Sequence, residues 1–275
     1  MNRDETYQIP EGTEIIHESD LKDHYRKQIV IPSSVRQIEE GSFAHGKEPM
    51  RIVLSDNPFY SLQDHFLIEK RTGKLITYAD NSPVIHVPAG LSSISAWAFY
   101  ECTIEQMTFS AEIPEIHFNA LTTCRIREAV FSFWNAHVFF PRKDIRLRQY
   151  LLECFGNNGM FDFQRYDEGI YAGYTEPERI REITARLKWP YELSVETARD
   201  YRRILESNLN EAVRQLGNIQ DTDTLHRLCD LSVINAENEE EVLVTLHSLS
   251  DLHAYMDLNQ YLNHTGTKES FDFSI

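Results

Sequence analysis

The chain has 275 residues, 41% of them hydrophobic, which is enough for a sizeable core and for two domains. Its 43 acidic and 27 basic residues leave a formal charge of −16, which argues against nucleic acid and against an anionic membrane surface as partners. No basic patch followed by an apolar run opens the sequence, no lipidation motif is present and no stretch of about 18 apolar residues exists, so a cytoplasmic protein without a membrane span is expected.

In chain order, a weak unit comes first: Ile9-Pro10, then Ile16 and Leu21. A clear unit follows, Ile29-Val30-Ile31-Pro32 with Val35 and Ile38, closing on Gly41-Ser42-Phe43. The same order returns further on as Ile85-His86-Val87-Pro88 with Leu91 and Ile94, closing on Trp97-Ala98-Phe99. Met107-Thr108-Phe109 opens another unit, with Ile113, Ile116, Leu121 and Cys124; Ile126 begins one more, and Val138-Phe139-Phe140-Pro141 closes the array. The step of about 22 residues lies in the range of leucine-rich repeats. Ile29 and Ile31 alternate with Gln28 and Val30, so one side of a short strand is apolar, and Pro32 ends that strand because it has no N–H to donate. Val35 and Ile38 turn inward on the return path, and Phe43 or Phe99 fills the coil. A single coil cannot bury its apolar side alone, but stacked neighbours can.

The array is interrupted once. After a strand at Ile52 to Leu54, Asn57-Pro58 leads into Phe66-Leu67-Ile68, and Arg71-Thr72-Gly73-Lys74 has the composition of a turn before Leu75-Ile76-Thr77-Tyr78. An inserted β-hairpin is expected here. The phrases IVIPSSVRQIEEGSFAH, SDNPFYSLQDHFLIEKRTGKLITY and IHVPAGLSSISAWAFYEC resemble BspA-type leucine-rich repeats, including the Asn-Pro hairpin insertion, over roughly residues 9 to 141. The resemblance implies a solenoid with a strand-lined binding face, and it implies no catalytic residues. Many members of that family are exported surface proteins, so a surface or host-directed adhesin is the alternative to an intracellular binding module.

After Pro141 the apolar period changes from two to 3.6. Ile145, Leu147, Tyr150, Leu151, Leu152 and Phe155 predict a helix that caps the solenoid, whose last coil would otherwise expose its core. Gly156-Asn157-Asn158-Gly159 is a breaker cluster, which places the domain boundary between a repeat domain at 1–156 and a helical domain at 157–275. Thr175-Glu176-Pro177-Glu178 opens a helix through Ile180, Ile183 and Leu187 that ends at Trp189-Pro190. Ser194 caps a long one through Ala198, Tyr201, Ile204, Leu205, Leu209, Ala212, Val213 and Leu216. Asp221 opens a helix through Leu225, Leu228 and Leu231, and Asn235 or Asn238 another through Val242, Leu243 and Leu246. The last runs from Ser250 through Leu252, Tyr255, Met256, Leu258 and Leu262, with a loose tail after Gly266. Short helices on short loops predict antiparallel hairpins, ankyrin-like in their pairing. The predicted class is α+β: a leucine-rich-repeat β-solenoid with an inserted β-hairpin, then a small α-helical domain.

Chemistry is sparse. No phosphate-binding glycine loop, HExxH or GxSxG motif occurs. His247 and His253 lie near Asp251 and Asp257, but a structural zinc site wants four well-spaced ligands, so no metal and no cofactor are expected. Asp20 and His24 read as an exposed ion pair. Cys102 and Cys124 take equivalent places in successive coils, where strand spacing of about 4.8 Å would permit a disulfide, though buried free thiols are the simpler reading. A site at the domain junction near Trp134, His137, Asp167 and Glu168 is the weakest reading and rests on proximity alone. The favoured site is the outward side of the strands: Gln28 and Val30, Arg51 and Val53, His86, Gln106 and Thr108, Glu128 and Val130. Exposed valines beside polar groups suit a protein partner, and the chain reads as a non-enzymatic protein-interaction module.

Overall fold

Each unit of the repeat needs one short strand on its outward leg and a shorter one on its return. The computed structural model describes residues 6–22, 28–44, 51–117, 119–142, 144–156, 159–173 and 176–269. The first coil holds β1 (Thr6–Gln8) and β2 (Ile15–Ile16), the second β3 (Gln28–Ile31) and β4 (Gln37–Ile38). The third starts with β5 (Arg51–Leu54) and carries β6 (Tyr60–Gln63), β7 (Phe66–Glu69) and β8 (Lys74–Tyr78). The fourth holds β9 (Val84–Val87) and β10 (Ser93–Ile94), the fifth β11 (Gln106–Phe109) and β12 (Glu115–Ile116), and β13 (Glu128–Phe131) begins the last. The result is a β-solenoid of about five turns over residues 6–131.

Outward strands pair in parallel as β1-β3-β5 and β9-β11-β13, and return strands as β2-β4 and β8-β10-β12. Alternation holds in both. Ile29, Ile31, Ile52, Ile85, Met107 and Phe131 are buried from the outward strands, and Ile16, Ile38, Ile94 and Ile116 from the return strands. Removing such a side chain from water stabilises by roughly 1.5–3 kcal/mol. The closing turn of the coil enters left-handed backbone at its first residue. Gly41 takes it at φ +79°, and Trp97, at the same repeat position, at φ +61°.

The insertion differs from a simple hairpin. β6, β7 and β8 form an antiparallel meander, with Asp64 and His65 both at positive φ in the first turn, as a tight two-residue hairpin requires. β8 then serves twice, because Lys74 and Leu75 also pair with Ser93 and Ile94 as the return strand of the third coil. Buried Asn57 ties the insertion to the coil before it. Its Nδ2 donates to the carbonyls of Pro32 and Val35 at 3.0 and 2.9 Å, and its Oδ1 accepts from the N–H groups of Phe59 and Tyr60 at 2.8 and 2.9 Å. All four hydrogen-bonding positions of the amide are used.

The array closes on α1 (Ile145–Leu152), capped by Asp144, which accepts from the Leu147 N–H at 2.9 Å. Leu147, Leu151 and Leu152 are buried, whereas Ile145, expected on the same face, is 79% exposed in the first turn. Phe155 and Phe161 pack on the last coil, with ring centres 6.0 and 5.1 Å from Phe131. Two compact units result, one of residues 1–135 with 140–166, the other of 136–139 with 167–275. The division between these compact units falls at Tyr166/Asp167, and Phe161, Phe163 and Tyr166 join the aromatic core of the first unit. Asn157 and Asn158 of the breaker cluster lie outside the described residues, as do His24, Thr175 and the tail after Glu269.

Within the second unit are β14 (Ala136–Phe139) and, after α2 (Phe163–Gly173) in which the division lies, α3 (Glu176–Lys188), α4 (Val195–Ser207), α5 (Leu209–Asn218), α6 (Thr222–Asp230), α7 (Glu239–His247) and α8 (His253–Glu269). Ser194 caps α4, accepting from the Thr197 N–H at 3.0 Å, and Asp221 caps α6, accepting from Thr224 at 3.2 Å. The long helix expected after Ser194 is two helices, broken where Asn208 leaves helical geometry at φ −129°. Helix α5 packs on α6 and α7, and α8 on α6 and α7. Side chains one hairpin apart meet: Gln220 with Asp251, His226 with Asp257, and Tyr261 with Asp230. Gly217 permits the close approach, since a Cβ there would lie 2.5 Å from Leu249 Cδ1. Among the described side chains of α8, Ala254 and Leu258 are buried; Met256 and, just before the helix, Leu252, both expected inside, are 65% and 41% exposed. The helix begins at His253, whose N–H is held by Asp251, and its packing on α6 and α7 turns Ala254 and Leu258 inward.

Candidate functional site

The outward sides of the strands stack with a register of about one repeat. In the first sheet Thr6, Gln28 and Arg51 stand side by side, and beside them Gln8, Val30 and Val53. In the second, Val84, Gln106 and Glu128 form one row, and His86, Thr108 and Val130 the other. β5 and β9 belong to different sheets, so Arg51 and Val53 lie on one patch and His86, Gln106, Thr108, Glu128 and Val130 on another.

Exposure varies along these rows. Arg51, Val53, Val84 and His86 are exposed, and Gln28, Val30, Gln106, Glu128 and Val130 are half-buried. Thr108 departs from the expectation of an exposed ladder. It is only 8% exposed, in the middle strand between His86 and Val130, where neighbours on both sides cover a short side chain. Gln106 Nε2 donates to Glu128 Oε2 at 2.7 Å, a bridge across two rungs that fixes both side chains. Thr6, Gln8 and Val84 also belong to the rows, beyond the residues expected from the sequence. Stepping one repeat back from Gln28, Val30 and Gln106 finds all three.

The remaining candidates are placed as follows. Trp134 lies against Phe131 and Phe163 in the first unit, with ring centres 5.5 and 5.7 Å away. In the second unit His137 stacks on Trp189 at 3.8 Å. Asp167 is buried there and accepts from Arg186 Nε at 2.8 Å and Nη2 at 3.0 Å, and from the Tyr201 hydroxyl at 3.1 Å, while Glu168 is exposed. His247 meets Tyr255 edge-on, and Asp257 faces His226 at 2.6 Å. Among the described residues no three His, Cys, Asp or Glu side chains gather as metal ligands. All four cysteines are free thiols. Burial pushes the Cys102 thiol up, with neighbouring Cys124 adding to it, and burial raises Cys124 to about 11. Among the described residues no helix is long and apolar enough to cross a membrane.

Comparison with known proteins agrees with this geometry. The family described as BspA type leucine rich repeat region matches in six copies over residues 4–72 and 73–136. No curated protein matches the chain. Similar solved structures include a leucine-rich repeat protein from Eubacterium ventriosum, 17% identical, covering 44% of this chain and 42% of that one at a TM-score of 0.30. A leucine rich cell surface protein from Faecalibacterium prausnitzii is 20% identical over 46% of this chain and 37% of its own, at 0.30. The pneumococcal vaccine antigen PcpA is 14% identical over 38% and 27%, at 0.32. The chain thus spans less than half the length of each.

Proposed function

Because the chain belongs to the BspA-type leucine-rich repeat family through residues 4–72 and 73–136, we propose that it is a non-enzymatic module that binds a protein partner along the outward strands of the solenoid. One observation carries the reading. The side chains of successive strands stand in register, with exposed Arg51, Val53, Val84 and His86 over a backbone held by parallel pairing. A rigid surface binds with little ordering entropy, and apolar groups among polar ones are the composition of an interface centre.

The test is affinity capture from source-cell lysate with wild type and with an Arg51→Glu/His86→Glu variant whose fold is checked by circular dichroism. Loss of a captured protein in the variant supports the strand face. Equal capture by both proteins refutes it.

A further inference from the structure

A second feature of the first unit faces a different chemistry. Four arginines, Arg125, Arg127, Arg142 and Arg148, line one cavity of about 530 Å³. Among the described residues its one acidic side chain is Glu105, which Arg127 and Arg142 share at 3.5 and 4.0 Å, both long for charge-assisted bonds. Four guanidinium groups thus converge with one carboxylate on a single cavity, in a chain whose total charge is −16.

The repeat builds this cavity. Arg125 and Arg127 precede β13 as Thr103 and Glu105 precede β11, one repeat earlier. The backbone is fixed on each side: Arg125 N–H donates to the Cys102 carbonyl at 3.2 Å, Arg127 N–H to Glu105 at 2.8 Å, and the Arg127 carbonyl accepts from Phe140 at 2.7 Å. Arg148 comes from α1 and is held by the Cys124 carbonyl. Burial lowers its affinity for a proton, and the charge of Arg125 lowers it further. A half-buried guanidinium beside like charges is stabilised by an anion. Guanidinium forks suit the paired oxygens of carboxylates and phosphates, and a dianion neutralises more of the charge than a carboxylate does. The cavity also has an apolar wall of Pro141 and the 79% exposed Ile145.

We infer that this cavity is a binding site for a phosphomonoester, with its phosphate among the four arginines and its organic portion against Pro141 and Ile145. The cavity is lined by none of the outward-row side chains of the strands, and the proposal does not depend on the protein-binding role of that face.

Isothermal titration of the whole chain with phenyl phosphate, inorganic phosphate and benzoate tests it. Phenyl phosphate is expected to saturate the protein below about 10 mM and to bind more tightly than the other two, and Arg125→Ala/Arg142→Ala is expected to raise its Kd at least about tenfold. Arg36→Ala, far along the chain on an exposed pair with Glu14, is expected to leave the Kd unchanged. Both variants are to retain the wild-type circular dichroism spectrum, and Arg142→Ala alone serves if the double variant does not. No saturable binding, or equal binding by wild type and the arginine variant, overturns the site. Benzoate binding as tightly as phenyl phosphate overturns the assignment to phosphate.

Discussion

Replacing Arg186 with Met isolates the strongest electrostatic commitment in the second unit. The Arg186 side chain is wholly buried, and its Nε and Nη2 grip both oxygens of Asp167. Nη2 also donates to the Tyr191 carbonyl at 3.0 Å. Methionine has similar length and fills the space, so the cavity cost is small. What remains is a carboxylate at 6% exposure that keeps the Tyr201 hydroxyl as a donor but has lost its countercharge. An uncompensated buried charge costs about 3–5 kcal/mol. Asp167→Asn strands the guanidinium instead and is expected to cost a similar amount. The double variant Arg186→Met/Asp167→Asn removes both charges and is expected to be more stable than either single variant by about 2 kcal/mol, because a neutral buried pair escapes the penalty. Urea unfolding followed by Trp189 fluorescence, with Trp97 and Trp134 replaced by Phe, reads the second unit. An Arg186→Met loss no larger than that of an average point substitution, or strictly additive single effects, would refute the reasoning.

Two further outcomes are expected. Phe131→Ala removes a fully buried ring that packs on Phe109, Phe155, Phe161 and Phe163, and should destabilise the first unit by about 3–5 kcal/mol in urea; a change under about 1 kcal/mol would show that the cluster is not a core. His17 Nδ1 lies 2.9 Å from Glu39, and that hydrogen bond together with the carboxylate charge raises the His17 pKa above the ordinary 6.5, while Glu39 is lowered by the same bond. The raised histidine stabilises fully below its unfolded pKa and loses that contribution as pH rises through the folded value. The lowered glutamate stabilises above its unfolded pKa and loses it as pH falls through the folded value. An NMR titration should therefore place the His17 midpoint above 6.5, and Glu39→Gln should bring it down; an unmoved midpoint contradicts the pairing.

Most of the solenoid is legible because its signal is local and repeated. Ile29 and Ile31 against Gln28 and Val30 state which side is inside, Pro32 ends the strand, and the copy at Ile85 to Pro88 repeats both statements. Caps are equally local: Ser194 and Asp221 serve the helix starts they precede. The breaks in the reading share a cause. Met256 has the apolar character of a core residue, yet the phase of α8 is set by contacts with α6 and α7. Thr108 alternates as an outward residue should, but it is covered by neighbouring strands.

The repeat, its inserted segment, the change to helices after Pro141 and the inward side of each strand are written in local residue order, because these depend on residues within a few positions of one another. Long-range packing, by contrast, makes Lys74 and Leu75 a solenoid strand, gathers the aromatic segment up to Tyr166 into the first unit, and brings four arginines from three separate stretches to one cavity. Those outcomes depend on distances between residues remote in the chain, which no local pattern encodes.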